Sequence, residues 1–377
     1  MSKKILLISP EGWGNNFVSK HHYANYLSDD HEVYFLNPAH SFSKIPLNSM
    51  SIQQKTIKDG LKVINYVNLL PRLNLLSKGI QRRIYKKQAQ QIHKALNISK
   101  FDVIWSFDPY RYWNLKGFNA DHYIYHTVDF HPKAKFEFEI CQSADLLVGV
   151  TDLVNQETPV GNKIIHKVGH GADIRGFQNE EDVKIPGVNP IKACYIGNFH
   201  NHINYELLLQ LVEQNHDVDF IMIGPTLDSN LSQGNIIKQE QLKKLSEQDN
   251  LHFIGSVHPT QLMSYMKQMD INLILFKKEF EKIHCSPHKV LGYFYSGNIT
   301  LSNYIDEHKS TDSDIIRMVK TETELVRKFQ KIKSEIKVLN KEEMAQKRRE
   351  FALNNSYENK IAEIWTLLDK GKNSHAI

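Results

Sequence analysis

The feature that most constrains this chain is a rhythm that starts twice. Short apolar runs, each long enough for one strand, alternate with stretches of helical spacing. The first series occupies 5–9, 32–37, 62–67, 103–107, 123–125 and 146–150; the second occupies 193–197, 220–224, 251–255, 271–276 and 299–302. Strands bridged by helices must pair in parallel, and a parallel sheet needs helices on both faces. Between the two series, 175–190 collects Gly176, the acidic run Glu180 to Asp182, Pro186, Gly187 and Pro190, the chemistry of a linker. From Thr321 onward the chain is helical and charged, and Ile361, Ile364, Trp365 and Leu368 form one stripe of a last helix. The expected organisation is α/β: a first domain over 1–178, a linker over 179–190, a second domain over 191–352 and a final helix over 353–377. Two such domains facing each other would bring the carboxyl ends of their strands around a common cleft, where open α/β sheets bind ligands.

Composition narrows the class further. With 41% apolar side chains in 377 residues the chain can fill sizeable cores. Cys141, Cys194 and Cys285 are isolated, so neither a disulfide framework nor a zinc cluster is expected, and a reducing, cytoplasmic setting follows. The first apolar run stops at Ser9-Pro10, too soon for a signal-peptide core, and no later run is long enough to span a bilayer. The net charge of +5 is small. Its distribution is not even: between Gly60 and Phe101 there is no acidic residue, while Arg72, Lys78, Arg82, Arg83, Lys86, Lys87 and Lys94 fall there. In the same segment Leu73, Leu76, Ile80, Ile84, Tyr85, Gln88, Ile92 and Leu96 recur at helical steps, giving an amphipathic helix with a basic face. Such a helix either lies on anionic lipid headgroups or packs its stripe on its own domain. Basic residues are not interleaved with aromatics as on a nucleic-acid platform, and no nucleic-acid partner is expected.

Three segments carry candidate chemistry. Gly12-Trp13-Gly14 follows the first strand and precedes a helix, so its backbone can approach a ligand closely. It is only a fragment of a dinucleotide fingerprint, because Phe17 occupies the third glycine position and the second strand ends in Asn37 rather than a carboxylate. Nicotinamide and flavin chemistry are disfavoured, and no P-loop pattern exists. In Ser286-Pro287-His288-Lys289, Ser286 suits an N-cap and Pro287 the first helical position, with Gly297 at the far end of the helix. Lys289 then puts a full positive charge beside the partial charge of the helix start, an arrangement suited to a diphosphate, and Gly292 one turn on leaves room. Third, His126 and Asp129 stand at the end of a strand, where either can act as a base or bind a hydroxyl. Asp217-Val218-Asp219 and Asp312-Ser313-Asp314 read as solvated caps, the histidines (His200 and His202 among them) lack metal-site spacing, and no metal is expected.

The second series resembles the donor half of bacterial GT-B glycosyltransferases that build cell-surface polysaccharides. The resemblance is carried, in order and spacing, by Tyr195-Ile196-Gly197, Tyr205-Glu206-Leu207-Leu208, Phe220-Ile221-Met222-Ile223-Gly224-Pro225, Leu251-His252-Phe253-Ile254-Gly255, Met269-Asp270-Ile271-Asn272 and Ser286-Pro287-His288-Lys289. The first series is similar more loosely, through Ser19-Lys20-His21-His22, Phe35-Leu36-Asn37-Pro38, Tyr125-His126-Thr127-Val128-Asp129 and Gly169-His170-Gly171-Ala172-Asp173. It implies a GT-B fold, two Rossmann-like domains facing each other across a cleft, with the helix near Trp365 crossing back to the first. It also implies a nucleoside-diphosphate sugar as donor, no cofactor, and Gly12, Gly14, Gly197, Asn198, Ser286, Pro287, His288, Lys289 and Gly292 as substrate-binding positions.

Two departures stand out. In the large group 1-like family the helix after Ser-Pro-x-Lys carries a Glu that grips the donor ribose, and here that place is Gly292. The Arg and Lys that hold the diphosphate after the first strand are replaced by Asn198 and, nearby, His202 or Ile203. A xanthan glucuronosyltransferase type lacks the same Glu, keeps the Lys and inverts the anomeric centre with an Asp base. By that resemblance Asp129 is the base; by the retaining one His126 lines the sugar site; both stay open. The implied activity is sugar transfer to a lipid-linked or polysaccharide acceptor of a bacterial surface glycan, metal-independent, in the cytoplasm with 60–101 against the anionic inner face of the cell membrane. An epimerase of nucleotide sugars with the same fold, or a degenerate non-catalytic scaffold, are the alternatives.

Overall fold

The computed structural model describes residues 2–14, 17–40, 52–178, 181–199, 202–225, 239–281, 283 and 286–373. The chain divides into two compact units, Met1–His170 with Tyr357–Ile377, and Gly171–Ser356.

Among the described residues of the first unit, eight strands form one sheet: β1 (Lys4–Ile8), β2 (Glu32–Leu36), β3 (Gln53–Lys58), β4 (Leu61–Asn65), β5 (Phe101–Ser106), β6 (Ala120–Thr127), β7 (Leu146–Gly149) and β8 (Ile165–Lys167), in the order β3-β4-β2-β1-β5-β6-β7-β8. All neighbours are parallel except β3 and β4, an edge hairpin. Ile5, Leu6, Leu7 and Ile8 are fully buried, as a central parallel strand covered on both faces requires. Strand order reverses between β1 and β5, which makes their carboxyl ends the switch point of this sheet. The helix Lys78–Leu96 buries Gln81, Gln88, Ala89 and Ile92, while Ile80, expected on the packed stripe, is 47% exposed, and Leu75 just before the helix is 72% exposed. The buried side is therefore narrower and more polar than the spacing suggested.

The last helix, Tyr357–Asn373, packs on the helix Ser19–Leu27: Tyr357 stacks on His22 with ring centroids 5.0 Å apart, and Ile364 and Leu368 are buried. Trp365 meets Trp105 edge-on at 5.8 Å.

The second unit carries β9 (Ile191–Ile196), β10 (Val218–Ile223), β11 (Leu251–Gly255), β12 (Ile271–Ile274), β13 (Ile299–Asn303) and β14 (Ile316–Val319) in the order β11-β10-β9-β12-β13-β14, all parallel. The order reverses between β9 and β12, which pair only through Ile271 with Ala193 and Asn272 with Cys194, so their carboxyl ends splay apart. The unit begins at Gly171 rather than after 178. The physical reason is local: Ala172 N donates to Asn355 O at 2.8 Å, and Phe177 of the turn of helix Ile174–Phe177 packs on Tyr295. The segment read as a linker is also tied down. Glu181 N donates to Ser264 Oγ, Asn189 N donates to the buried Asp219 carboxylate at 2.8 Å, and Gly187 (φ 88°) lies so close to that carboxylate that a Cβ would strike it. Among the described residues no helix is long and apolar enough to cross a membrane.

Candidate functional site

In the second unit, three adjacent strands end on glycines in the left-handed half of backbone space: Gly197 (φ 142°), Gly224 (φ 148°) and Gly255 (φ 82°). Gly197 N donates to Ile223 O at 2.8 Å and Gly224 N to Gly255 O at 2.9 Å, so the three ends form one laced rim. At two of the three there is no space for a side chain: a Cβ on Gly224 would lie 2.0 Å from Gly197 O, and one on Gly197 would lie 2.8 Å from the Lys289 amine, whereas one on Gly255 would meet nothing within 4 Å. Gly224→Ala should therefore lower the urea midpoint by an amount equivalent to about 3 kcal/mol, from strain plus overpacking. Gly12→Ala, whose Cβ would meet nothing within 4 Å, should leave the midpoint nearly unchanged.

Lys289 opens the helix Lys289–Ser296, which is fixed to β9 by a hydrogen bond from Ile196 N to Tyr293 Oη of 2.8 Å. Its Nζ lies 3.6 Å from the centroid of the Tyr195 ring and 5.4 Å from that of Phe276, just past β12. The amine thus sits at the switch point of the sheet, among aromatic faces that favour a cation. Among the described residues it has no carboxylate partner. The residue keeps partial access to solvent, yet desolvation pushes its amine well below the usual lysine range, with the Cys194 thiol opposing weakly.

The helix start differs from the expectation in two ways. Ser286 is not the cap; His288 occupies that position, without a side-chain capping bond, and the Ser286 hydroxyl donates instead to Glu307. Pro287 O accepts from Val290 N at 3.1 Å, placing Pro287 in the turn before the helix. Gly292 offers no room to a ligand. It is buried against Met266 and Phe177, whose side chains would lie 3.4 Å from a Cβ. Gly297, with φ 87°, ends the helix as expected, and Asn198 and His288 are exposed. Cys285 and His200 lie outside the described residues.

In the first unit the loops after β1, β2 and β5 converge. Glu11 pairs with Lys20, whose side chain is 3% exposed. His21 Nδ1 accepts from Val18 N at 3.2 Å, which leaves Nε2–H to donate to Gly12 O at 3.1 Å. Trp13 N donates to Asn37 Oδ1 at 2.8 Å. Neither Gly12 nor Gly14 has a positive φ, and a Cβ would meet nothing within 4 Å at Gly12 and only Gly12 O, at 3.9 Å, at Gly14, so protein sterics do not explain them. A clamp the sequence reading missed closes the group: Arg111 binds the Asp108 carboxylate and donates to Ser9 O, Asn37 O and Tyr66 Oη, joining all three loops. Its only trace in sequence is an Asp and an Arg three apart just past a strand.

His126 and Asp129 part company. His126 is fully buried among the rings of Tyr23, Phe107 and Trp105, at 5.2, 4.8 and 6.2 Å, and neither ring nitrogen has a partner among the described residues. Desolvation, with help from Lys20, pushes it down to about 3, so it is neutral and closed off. The expectation that it faces a ligand is corrected: it lies on the inward side of β6. Asp129, two residues past the strand, is solvent-exposed. The protein around it still withdraws enough water to raise its carboxyl to about 6, with Lys20 opposing and Glu11 adding.

No family model matches the sequence, and comparison with curated proteins gives no match. In fold, the chain is similar to a glycosyltransferase from Rickettsia africae ESF-5, at 12% identity over 98% of each chain with a TM-score of 0.69. It is also similar to HepE from Anabaena in complex with UDP and glucose, at 12% identity over 97% of this chain and 99% of that one, TM-score 0.64. A third likeness is to an E. coli trehalose-6-phosphate protein bound with UDP-2-fluoro glucose, at 10% identity over 97% and 98%, TM-score 0.67. These likenesses show the fold, two Rossmann-like domains of the GT-B class.

Proposed function

We propose that this chain is a metal-independent glycosyltransferase that moves a sugar from a nucleoside-diphosphate sugar to a hydroxyl of a lipid-linked or polysaccharide acceptor in bacterial surface glycan synthesis. The observation that carries the reading is Lys289: an amine with no carboxylate partner among the described residues, at the switch point of a parallel sheet, beside three strand ends that turn on glycines. In the transfer, the bond from the anomeric carbon to the β-phosphate oxygen breaks and the acceptor oxygen bonds that carbon. The departing diphosphate gains negative charge, which Lys289 and the start of its helix stabilise in place of a divalent cation. The acceptor proton passes to Asp129, which is exposed and raised towards neutrality where His126 is buried and neutral; this favours an inverting reaction of the xanthan glucuronosyltransferase type. The full-length likeness to structures holding UDP and a sugar supports the donor class.

The helix Lys78–Leu96, with Arg82, Arg83, Lys86 and Lys87 exposed and Leu75 and Ile80 beside them, is the part of the chain suited to an anionic cytoplasmic membrane surface.

A thermal-shift screen of nucleotide sugars tests the reading. One donor should raise the melting temperature by about 4 °C or more, as binding of the folded state at about 100 times Kd requires. That donor should then release nucleoside diphosphate faster when acceptor glycan is added. Isomerised donor in the absence of acceptor would mark an epimerase instead, and no shift with any donor would sink the proposal.

A further inference from the structure

The helix Lys78–Leu96 and the segment around the 3-10 turn Leu115–Gly117 enclose a cavity of about 390 Å³ in the first unit, lined by Arg82, Tyr85, Lys86, Trp113, Asn114 and Lys116 among others. We infer that this recess binds a phosphate ester with a body the size of a glycerol or a sugar.

Charge is the first reason. Arg82, Lys86 and Lys116 contribute three cations, and no carboxylate is among the lining residues. Arg82 and Lys86 are like charges one helical turn apart, a destabilising pair unless an anion lies between them, and neither has an ion pair among the described residues. Lys116 has Asp145 only at 3.9 Å, with both side chains open to solvent. A guanidinium and two ammonium groups around one space match the several oxygens of a phosphate better than a single carboxylate.

The second reason is independent of charge. Trp113 lines the recess with only 4% of its surface exposed, so its ring is held in place by the protein around it. The rings of Trp113 and Tyr85 supply an apolar wall suited to the C–H faces of a glycerol or sugar body, and the volume lies in the range of small-molecule sites rather than that of a bare ion.

This inference stands apart from the donor site, since no residue of the recess belongs to the Lys289 or Asp129 groups. The phosphate can belong to a soluble ester or to a lipid headgroup, and two arms of one experiment separate them. The first is calorimetric titration with glycerol 3-phosphate, following the Trp113 indole N–H by NMR. The second is flotation with vesicles of phosphatidylcholine with and without phosphatidylglycerol.

The variant Arg82→Gln/Lys86→Gln should weaken binding by about tenfold or more, the loss of one or two charge-assisted bonds. Lys55→Gln/Lys337→Gln, an equal charge change at exposed positions off this helix, should change it by less than about twofold. Both pairs are at the surface, so the fold is kept, and matched melting curves verify this. Selective loss in the titration identifies a soluble ester; selective loss only in flotation identifies a headgroup. Equal effects of the two charge pairs in both arms, or binding in neither arm, overturn the inference.

Discussion

Replacing Lys289 with Met should reduce donor turnover by about 10²- to 10³-fold, the effect of removing one preorganised group that stabilises charge in a transition state. Methionine keeps the length and the contact with the Tyr195 ring while deleting the charge, so the loss reports electrostatics and not packing. Unliganded stability should move the other way. A lysine whose amine is held well below its ordinary range by desolvation penalises the protonated fold, and that penalty grows as pH falls through the folded-state value. At neutral pH the Met variant should therefore melt no lower than the parent, which excludes misfolding as the cause of lost activity. A second readout follows from the same direction: a bound diphosphate favours the ammonium form, so donor binding should move the titration of the Lys289 amine upward, as NMR of the labelled lysine side chain with and without donor should show. A Lys289→Met protein with donor affinity and turnover within about threefold of the parent would remove the basis of the transferase reading.

The two sheets were legible because parallel strands covered on both faces have to be written as continuous apolar runs, as in Ile5 to Ile8 and Phe220 to Ile223. β3 was not legible. Its Gln53 to Lys58 segment is polar and nearly all exposed, and it exists because a hairpin turn lays it on β4. Gly297 marked the end of its helix through a local requirement, a left-handed cap. The start of that helix was misjudged because the Ser286 hydroxyl is claimed by Glu307, 21 residues downstream, and local capping rules cannot see such a competitor. Gly292 failed for the same reason: the space a glycine leaves can be filled from anywhere in the chain, here by Met266 and Phe177. His126 and Asp129 were flagged together by spacing, yet strand geometry turned one into the core and left the other outside. The sequence carries the period of a strand but not its face.

Asp129→Asn should cut turnover by about 10²- to 10⁴-fold, the range for a general base, while leaving donor affinity within about threefold, since the amide keeps the shape and loses only the proton acceptor. The pH profile discriminates further. A base must be ionised to work, so parent activity should fall as pH drops through about 6, where the raised carboxyl takes up its proton, and the Asn variant should lack that acid limb. The stability sign is opposite to that of an ion-paired carboxylate. A folded pKa above the unfolded one favours the fold at low pH, and the advantage is lost as pH rises through about 6. The Asn variant should thus gain stability relative to the parent at pH 8 compared with pH 5. Glu11→Gln supplies a check on the cause: it removes a like charge and releases Lys20 to act on Asp129, and both changes move the acid limb to lower pH. If Asp129→Asn retains parental turnover with the acid limb intact, Asp129 is not the base. Because His126 has its nitrogens inside an aromatic box, it cannot inherit the role, and the proton would have to leave by water or by the substrate itself.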